Sequence, residues 1–476
     1  MRPPDPTPRD VIVRSVEQVD LVKLDGDVDL RLSGVEETAN PVADDAKKKE
    51  ARERLAAEIV GKKFLLRPDP ARPVSPGELR GELWENKGAG PMESVSERLL
   101  RRGDAMLDLT RGPSAGDERF RKIATEAAAP RSRRIAVPLG FQGGIVLPLY
   151  SKEQGHDYGP RLKEIKEAGA TWVSLLFVWF MDKMDGHLMA PKRNQKHWED
   201  NRTAPDEAIA QTVRQAKELG LRVLLLPVVL PWKPGPDDWR GSLRPVNRAG
   251  FFENYARFLL RYADLAEQLN VDAFSIGSEL ISLENKVGPD EPSGYAGDTA
   301  WWRRIARTVR ARFGGRLTYS ANWDHYDVLG IIDELDFVGL TAYYSLTKNK
   351  DASVEEMVEA WKPIQESLRA DSQRLQRPFV FTEVGYASLK GINTDPWNYK
   401  MDEPLDLECQ VRCYKAFAKA FDSPDFLVGA YFFDWYDNGG PTSTSYSPRG
   451  KPAEQVMREY LKHTQTLPRP LLDPAK

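Results

Sequence analysis

Phe274-Ser275-Ile276-Gly277-Ser278-Glu279-Leu280 is an apolar, β-prone run that ends in small residues with a carboxylate at its tip. Phe379-Val380-Phe381-Thr382-Glu383-Val384-Gly385-Tyr386 repeats the design. Each reads as a short buried strand carrying one glutamate at its C-terminal end. In a (β/α)8 barrel those ends form the face where catalytic groups gather. The fold therefore turns on whether the rest of the chain supplies more strands of this kind, with helices between them.

It does. Predicted strands cover 144–150, 172–180, 221–230, 272–278, 317–321, 336–341, 378–382 and 426–435. Helical patterns fall between them, including 161–168, 251–269, 301–313, 353–368, 405–421 and 452–463. Gly169 closes the first helix. Ala204-Pro205-Asp206-Glu207 opens another, with proline in the first turn and acids at the positive dipole end. Parallel strands with right-handed crossovers predict closure into a (β/α)8 TIM barrel over 137–476. The competing fold, an open doubly wound sheet, wants a glycine-rich phosphate turn after the first strand, and 150–155 does not supply one. Residues 1–136 differ: rich in Arg, Pro, Asp and Glu, they predict an N-terminal extension of short helices and strands, to which the sequence gives no chemistry. Within it, alternation over 11–32 predicts strand, 47–60 predicts a charged helix, and Ser94 with Glu97 predicts a capped helix start.

Composition narrows the class. The chain has 476 residues, more than the roughly 250 of one barrel, with 41% hydrophobic and 29% charged residues, as in ordinary globular proteins. A net charge of −3 implies no polyanion partner, so no nucleic acid is expected. Lys47-Lys48-Lys49 and the cluster Arg131, Arg133, Arg134 read as solvated surface. The longest uncharged apolar runs, 171–181 and 223–232, are far short of the about 20 residues of a membrane span. The start, Met1-Arg2-Pro3-Pro4, is not a signal peptide, while a polymer substrate fits an extracellular or envelope setting; localisation stays open. Cys409 and Cys413 read as buried free thiols. His156, His187, His197, His325 and His463 show no ligand spacing, so neither metal nor cofactor is expected.

The loops after the strands gather aromatic and polar side chains. They hold Trp179 and Asp182, then Trp232, Trp239 and Arg240, then Glu279 with Ser278 before it. Next come Asn322, Trp323, Asp324 and His325, then Tyr343 and Tyr344. Glu383, Tyr386 and Trp397 follow, and last Asp434, Trp435, Tyr436 and Asp437. Sugar rings present C–H faces to aromatic planes and hydroxyls to carboxylates, amides and arginine. Any one of these tryptophans fits the barrel core as readily as a ligand platform, but the cluster at strand ends points to a polysaccharide groove. A partly desolvated carboxylate is costly unless function or hydrogen bonds maintain it. Two of them across one rim are the equipment for cleaving a glycosidic bond.

From about residue 144 to 461 the sequence resembles glycoside hydrolase family 113, in the clan of retaining (β/α)8 glycosidases. The resemblance rests on Asp238-Trp239-Arg240-Gly241, Phe252-Glu253-Asn254-Tyr255, Tyr262-Ala263-Asp264-Leu265-Ala266 and Ile276-Gly277-Ser278-Glu279-Leu280. Leu317-Thr318-Tyr319-Ser320-Ala321-Asn322-Trp323, Thr382-Glu383-Val384-Gly385-Tyr386 and Tyr446-Ser447-Pro448-Arg449-Gly450-Lys451-Pro452 complete it. It implies an endo-β-1,4-mannanase acting on a β-mannan-type oligo- or polysaccharide, with Glu279 as acid/base and Glu383 as nucleophile. Tyr343 resembles the clan tyrosine that hydrogen-bonds the nucleophile, and Trp435 the platform under the cleaved sugar. Many clan members carry asparagine before the acid/base where this chain has Ser278, so the hold on the sugar 2-hydroxyl differs. An exo-β-mannosidase, a β-glucanase and a non-catalytic carbohydrate-binding barrel are the alternative readings. The oligomeric state is not encoded in any feature above.

Overall fold

The computed structural model describes residues 7–36, 45–69, 79–85, 93–102, 104–107, 119–120, 123, 140–151, 153, 155–191, 203–284, 297–326, 330–436 and 438–467. The arginine cluster at 131–134, the side chains of Lys47 and Lys48, His197 and Asp437 lie outside them. The chain divides into two compact units, Met1–Ser132 with Phe252–Leu265, and Arg133–Phe251 with Ala266–Lys476.

The first unit carries strands β1 (Arg9–Gln18), β2 (Leu21–Leu24), β3 (Val28–Leu32), β4 (Val35–Glu36), β5 (Lys63–Pro68), β6 (Leu79–Glu85) and β7 (Met106–Leu107). Helix α1 (Asp45–Ile59) precedes β5, and α2 (Val95–Arg102) follows β6. Five strands close into a barrel in the order β1-β2-β3-β6-β5. All its pairs are antiparallel except β3 with β6. Period-two alternation builds it: Val11, Val13, Val22, Leu30, Phe64 and Leu66 are buried in one core. Ala51, Leu55 and Ile59, four apart on α1, belong to the same core. The order, with its helix between the third and fourth barrel strands, is that of an OB-fold. Sequence alternation reveals β1 to β3; β5 and β6 are interleaved with charges, so the closure is not visible from the sequence. Ser94 and Glu97 form the predicted capping box: Ser94 N–H donates to Glu97 Oε2 at 2.8 Å, and Glu97 N–H to Ser94 Oγ at 3.3 Å.

The second unit is the predicted parallel barrel. Its strands are β8 (Gln142–Pro148), β9 (Trp172–Met181), β11 (Arg222–Pro231), β12 (Ala273–Ser278), β13 (Arg316–Asn322), β14 (Val338–Thr341), β15 (Phe379–Val384) and β16 (Leu427–Phe432). A two-residue strand, β10 (Met189–Ala190), adds antiparallel to the end of β9. Each barrel strand pairs parallel with the next, and β16 returns to β8 to close the ring. Helices α3 (Gly159–Glu167), α4 (Asp206–Glu218), α5 (Arg248–Gln268), α6 (Gly297–Arg312), α7 (Val354–Leu375), α8 (Leu407–Ala420) and α9 (Pro452–Thr464) are the crossovers. The middle of α5 is the segment that groups with the first unit. Strands covered on both faces lose alternation, and β9 and β15 are buried almost throughout. Gly169 ends α3 with φ +93°, as predicted.

Most boundaries shift by a few residues from expectation, and three bear on the reading. Strand β16 stops at Phe432, so Trp435 belongs to the loop after it. Helix α6 begins at Gly297, and α7 runs on to Leu375 because Ser353 and Glu356 form a capping box at its start and Pro363 is tolerated within it. Cys409 and Cys413 on α8 are free and buried. No helix among the described residues is long and apolar enough to cross a membrane.

Candidate active site

Strand β12 ends at Ser278, and Glu279 is the first residue past it, 6% exposed. Its φ of +50° is unusual for a residue with a side chain. Glu383 lies inside β15, one residue from its end, and is 3% exposed. The register of β14 and β15 sets Thr341 beside Glu383, and Ala342 N–H donates to Glu383 O at 2.7 Å. That registration carries Tyr343 to the carboxylate: Tyr343 Oη donates to Glu383 Oε2 at 2.9 Å.

Arg240 arrives from the loop after β11. It opens a short 3-10 turn, Arg240–Ser242, tied by Trp239 N–H to Ser242 Oγ at 3.1 Å. A Cβ on Gly241 would stand 2.3 Å from the Trp239 ring, so the indole lies where it does because residue 241 has no side chain. The guanidinium forms an ion pair with Glu279. Burial opposes its charge, yet Glu279, then Glu383, outweigh that and hold its pKa above the ordinary value.

Burial pushes Glu383 up to about 7, and the Glu279 charge adds to the rise, while Arg240 and the Tyr343 hydrogen bond pull against it. Two carboxylates that perturb each other in one buried site bind protons as a pair. In the substrate-free protein Arg240 pairs with Glu279, and burial favours the protonated form of Glu383. Ser278 Oγ, beside the acid pair's first member, is buried and has no hydrogen-bond partner among the described residues. Among those residues no group of three or more His, Cys, Asp or Glu suits a metal ion.

The remaining predicted residues separate into two sets. Trp239 is 39% exposed, and Trp323 stacks near-parallel on the exposed Trp397, centroids 6.3 Å apart. Both sit at the rim, as does half-buried Trp179. Asn322 Oδ1 is occupied by Trp323 N–H at 3.1 Å. Trp232, also half-buried, packs edge-on against Phe180 and against the barrel core. Trp435 is a correction. It is 1% exposed, and its Nε1 donates to Glu164 Oε2 at 2.9 Å, a carboxylate also gripped by Arg449. A ring so enclosed offers no face to a sugar; it braces the loop after β16.

Residues to which the sequence reading gave no specific role also gather here. Tyr446 stands 5.7 Å from Tyr343 and 5.6 Å from Phe433, ring to ring. Asp434 raises the pKa of Glu383, and Tyr150 acts on Arg240. Tyr446 opens the quoted 446–452 motif, which was a signal for it.

An eight-stranded parallel barrel with two buried carboxylates around one arginine at its strand ends is the architecture of a glycoside hydrolase. The model of Glycoside Hydrolase Family 113 matches residues 150–449, and the chain belongs to that family. Among solved structures it is similar to the family 113 β-mannanase AaManA from Alicyclobacillus acidocaldarius in complex with ManMIm. That likeness has 26% identity and a TM-score of 0.57, over 68% of this chain and 98% of the other. A second family 113 β-1,4-mannanase, in a complex, has 20% identity and a TM-score of 0.58 over 68% and 99%. No curated protein matches the chain.

Proposed function

We propose that this glycoside hydrolase cleaves β-1,4-linked mannan-type polysaccharide internally, with retention of configuration. The observation that carries the reading is the buried pair Glu279 and Glu383, each held by its own partner, in a family whose similar structures include β-mannanases. Glu383 attacks the anomeric carbon while Glu279 gives its proton to the leaving oxygen. Glu279 then takes a proton from water, which attacks the glycosyl-enzyme and frees Glu383. Double displacement wants the carboxyl groups about 5–5.5 Å apart.

The reaction needs the proton on Glu279 and the charge on Glu383, whereas in the resting site burial favours a proton on Glu383. Substrate entering the cleft would draw Arg240 off Glu279, leaving it and Tyr343 to hold the Glu383 carboxylate. Ser278 Oγ, buried without a partner among the described residues, is the group we assign to a substrate hydroxyl. Exposed aromatics at the rim, Trp239 and Trp397, suit an open groove and endo action.

Reducing-end release across mannans and glucans tests this directly. Mid-size products from mannohexaose are expected. Mannose alone would mean exo action, a glucan preference would replace the substrate, and binding without cleavage would sink the enzymatic reading.

A further inference from the structure

One buried acid beside the pair takes no part in that chemistry. Glu284 caps the 3-10 turn Ile281–Leu283 that follows Glu279, and it is 2% exposed. Burial pushes its carboxyl up to about 8 against the hydrogen bond from Tyr319, and the charge of Glu279 adds to the rise. Tyr319 Oη donates to Glu284 Oε1, and the same phenol oxygen accepts Leu280 N–H at 3.0 Å. The chain of bonds therefore runs from the peptide next to Glu279, through the phenol, to the buried acid.

The phenol is itself clamped. Tyr319 lies on β13, and a Cβ on Gly277 would stand 2.2 Å from its ring, so glycine at 277 is what lets the ring lie there. Trp302 meets the ring edge-on at 5.2 Å and donates its Nε1 to Leu283 O at 2.7 Å, tying the far end of the same turn. Glu279 N–H donates to Ser320 O at 3.0 Å. These contacts surround a residue with φ +50°, a backbone state that persists only where its surroundings over-determine it.

We propose that Tyr319 and Glu284 are positioning residues for Glu279: the relay from Leu280 N–H through Tyr319 to Glu284 fixes the left-handed turn that aims the Glu279 carboxyl into the cleft. The inference rests on the reading of Glu279 as proton donor. Neither side chain touches substrate in this account. The relay also explains why the Ile276-Gly277-Ser278-Glu279-Leu280 motif needs its glycine. A proton donor displaced by a fraction of an ångström fails most where the leaving group needs the proton most.

The test is kcat/KM for Tyr319→Phe, Glu284→Gln and Glu284→Leu on two substrates, with Tm alongside. Mannohexaose needs a protonated leaving oxygen; a dinitrophenyl β-mannobioside does not. Tyr319→Phe and Glu284→Leu should lose about 10–100-fold on mannohexaose and little on the aryl substrate. Glu284→Gln keeps an oxygen that accepts from Tyr319 and should stay near wild type on both. Equal losses on both substrates, tracking a fall in Tm, would mean a merely structural role and would overturn the proposal; so would no loss at all. If Tyr319→Phe does not fold, the Glu284→Gln and Glu284→Leu pair carries the same contrast. Glu279→Gln on the same substrates separates the two layers. Without leaving-group discrimination there, the proton-donor reading itself fails. Discrimination in Glu279→Gln but not in Tyr319→Phe sinks only the relay.

Discussion

Glu279 and Glu383 end two strands of the same sequence design, and the structure holds them in different ways. Glu279 stands past its strand, on a left-handed residue, against a cation. Glu383 stays within its strand, where the register with both neighbouring strands shifts, against a neutral phenol. The first is aimed by a strained turn and the second by sheet register. Two like groups set in unlike surroundings can divide the roles of acid and nucleophile, because environment decides which one carries the proton. In the empty site Arg240 sits on Glu279, the group proposed to donate the proton.

The largest effect that would break this comparison is on turnover. Glu383→Gln should lower kcat at least about 10⁴-fold on every substrate, since no nucleophile remains. Glu279→Gln should cost about 10²–10⁴-fold in kcat/KM on mannan oligosaccharides and far less in kcat/KM on activated aryl glycosides, whose leaving group needs no proton. The same behaviour in both variants would erase the distinction.

A stability measurement sharpens it. Burial raises Glu383 from 4.5 to about 7, so folding favours its protonated form. Its stabilising contribution is fully present below about pH 4.5 and lost as pH rises through 7, roughly 3 kcal/mol in all. Glu383→Gln does not titrate. Its Tm should exceed that of wild type at pH 8, with the advantage shrinking toward pH 4.5. Glu284, raised to about 8, adds a loss of the same sign to both proteins and cancels in the difference.

Tyr343→Phe removes a hydrogen bond that favours the ionised form of Glu383. We expect kcat/KM to fall about 10–100-fold, with its acid limb moving to higher pH. An unmoved limb would detach Tyr343 from the nucleophile. Least in size, Trp239→Ala should raise KM for mannan about 2–10-fold with kcat nearly unchanged. Trp435→Phe should instead act through Tm, because its ring is enclosed and bonded to Glu164.

Much of this was legible in the sequence, for local reasons. Buried parallel strands announce themselves as unbroken apolar runs, and a glutamate closing such a run is conspicuous. Gly169 and the Ser94–Glu97 box mark helix ends through chemistry that acts within a few residues. The ion pair of Arg240 with Glu279 is different: it joins side chains from two loops, and spacing along the chain carries no trace of it. Nor does any residue type announce φ +50° at a glutamate. Trp435 misled because a tryptophan after the last strand reads the same whether it faces substrate or Glu164. The first barrel escaped because charges interrupt the apolar pattern of β5 and β6, and two of them, Arg80 and Glu82, are themselves buried.

The central claim is that Glu383 becomes covalently bound to sugar during turnover. Incubation with a 2-deoxy-2-fluoro-β-mannosyl fluoride, followed by mass spectrometry of the digested protein, addresses it directly. The account predicts one added fluoroglycosyl group, on the peptide containing Phe379–Val384, attached at Glu383. Attachment at Glu279, or inverted products with no adduct, would contradict it.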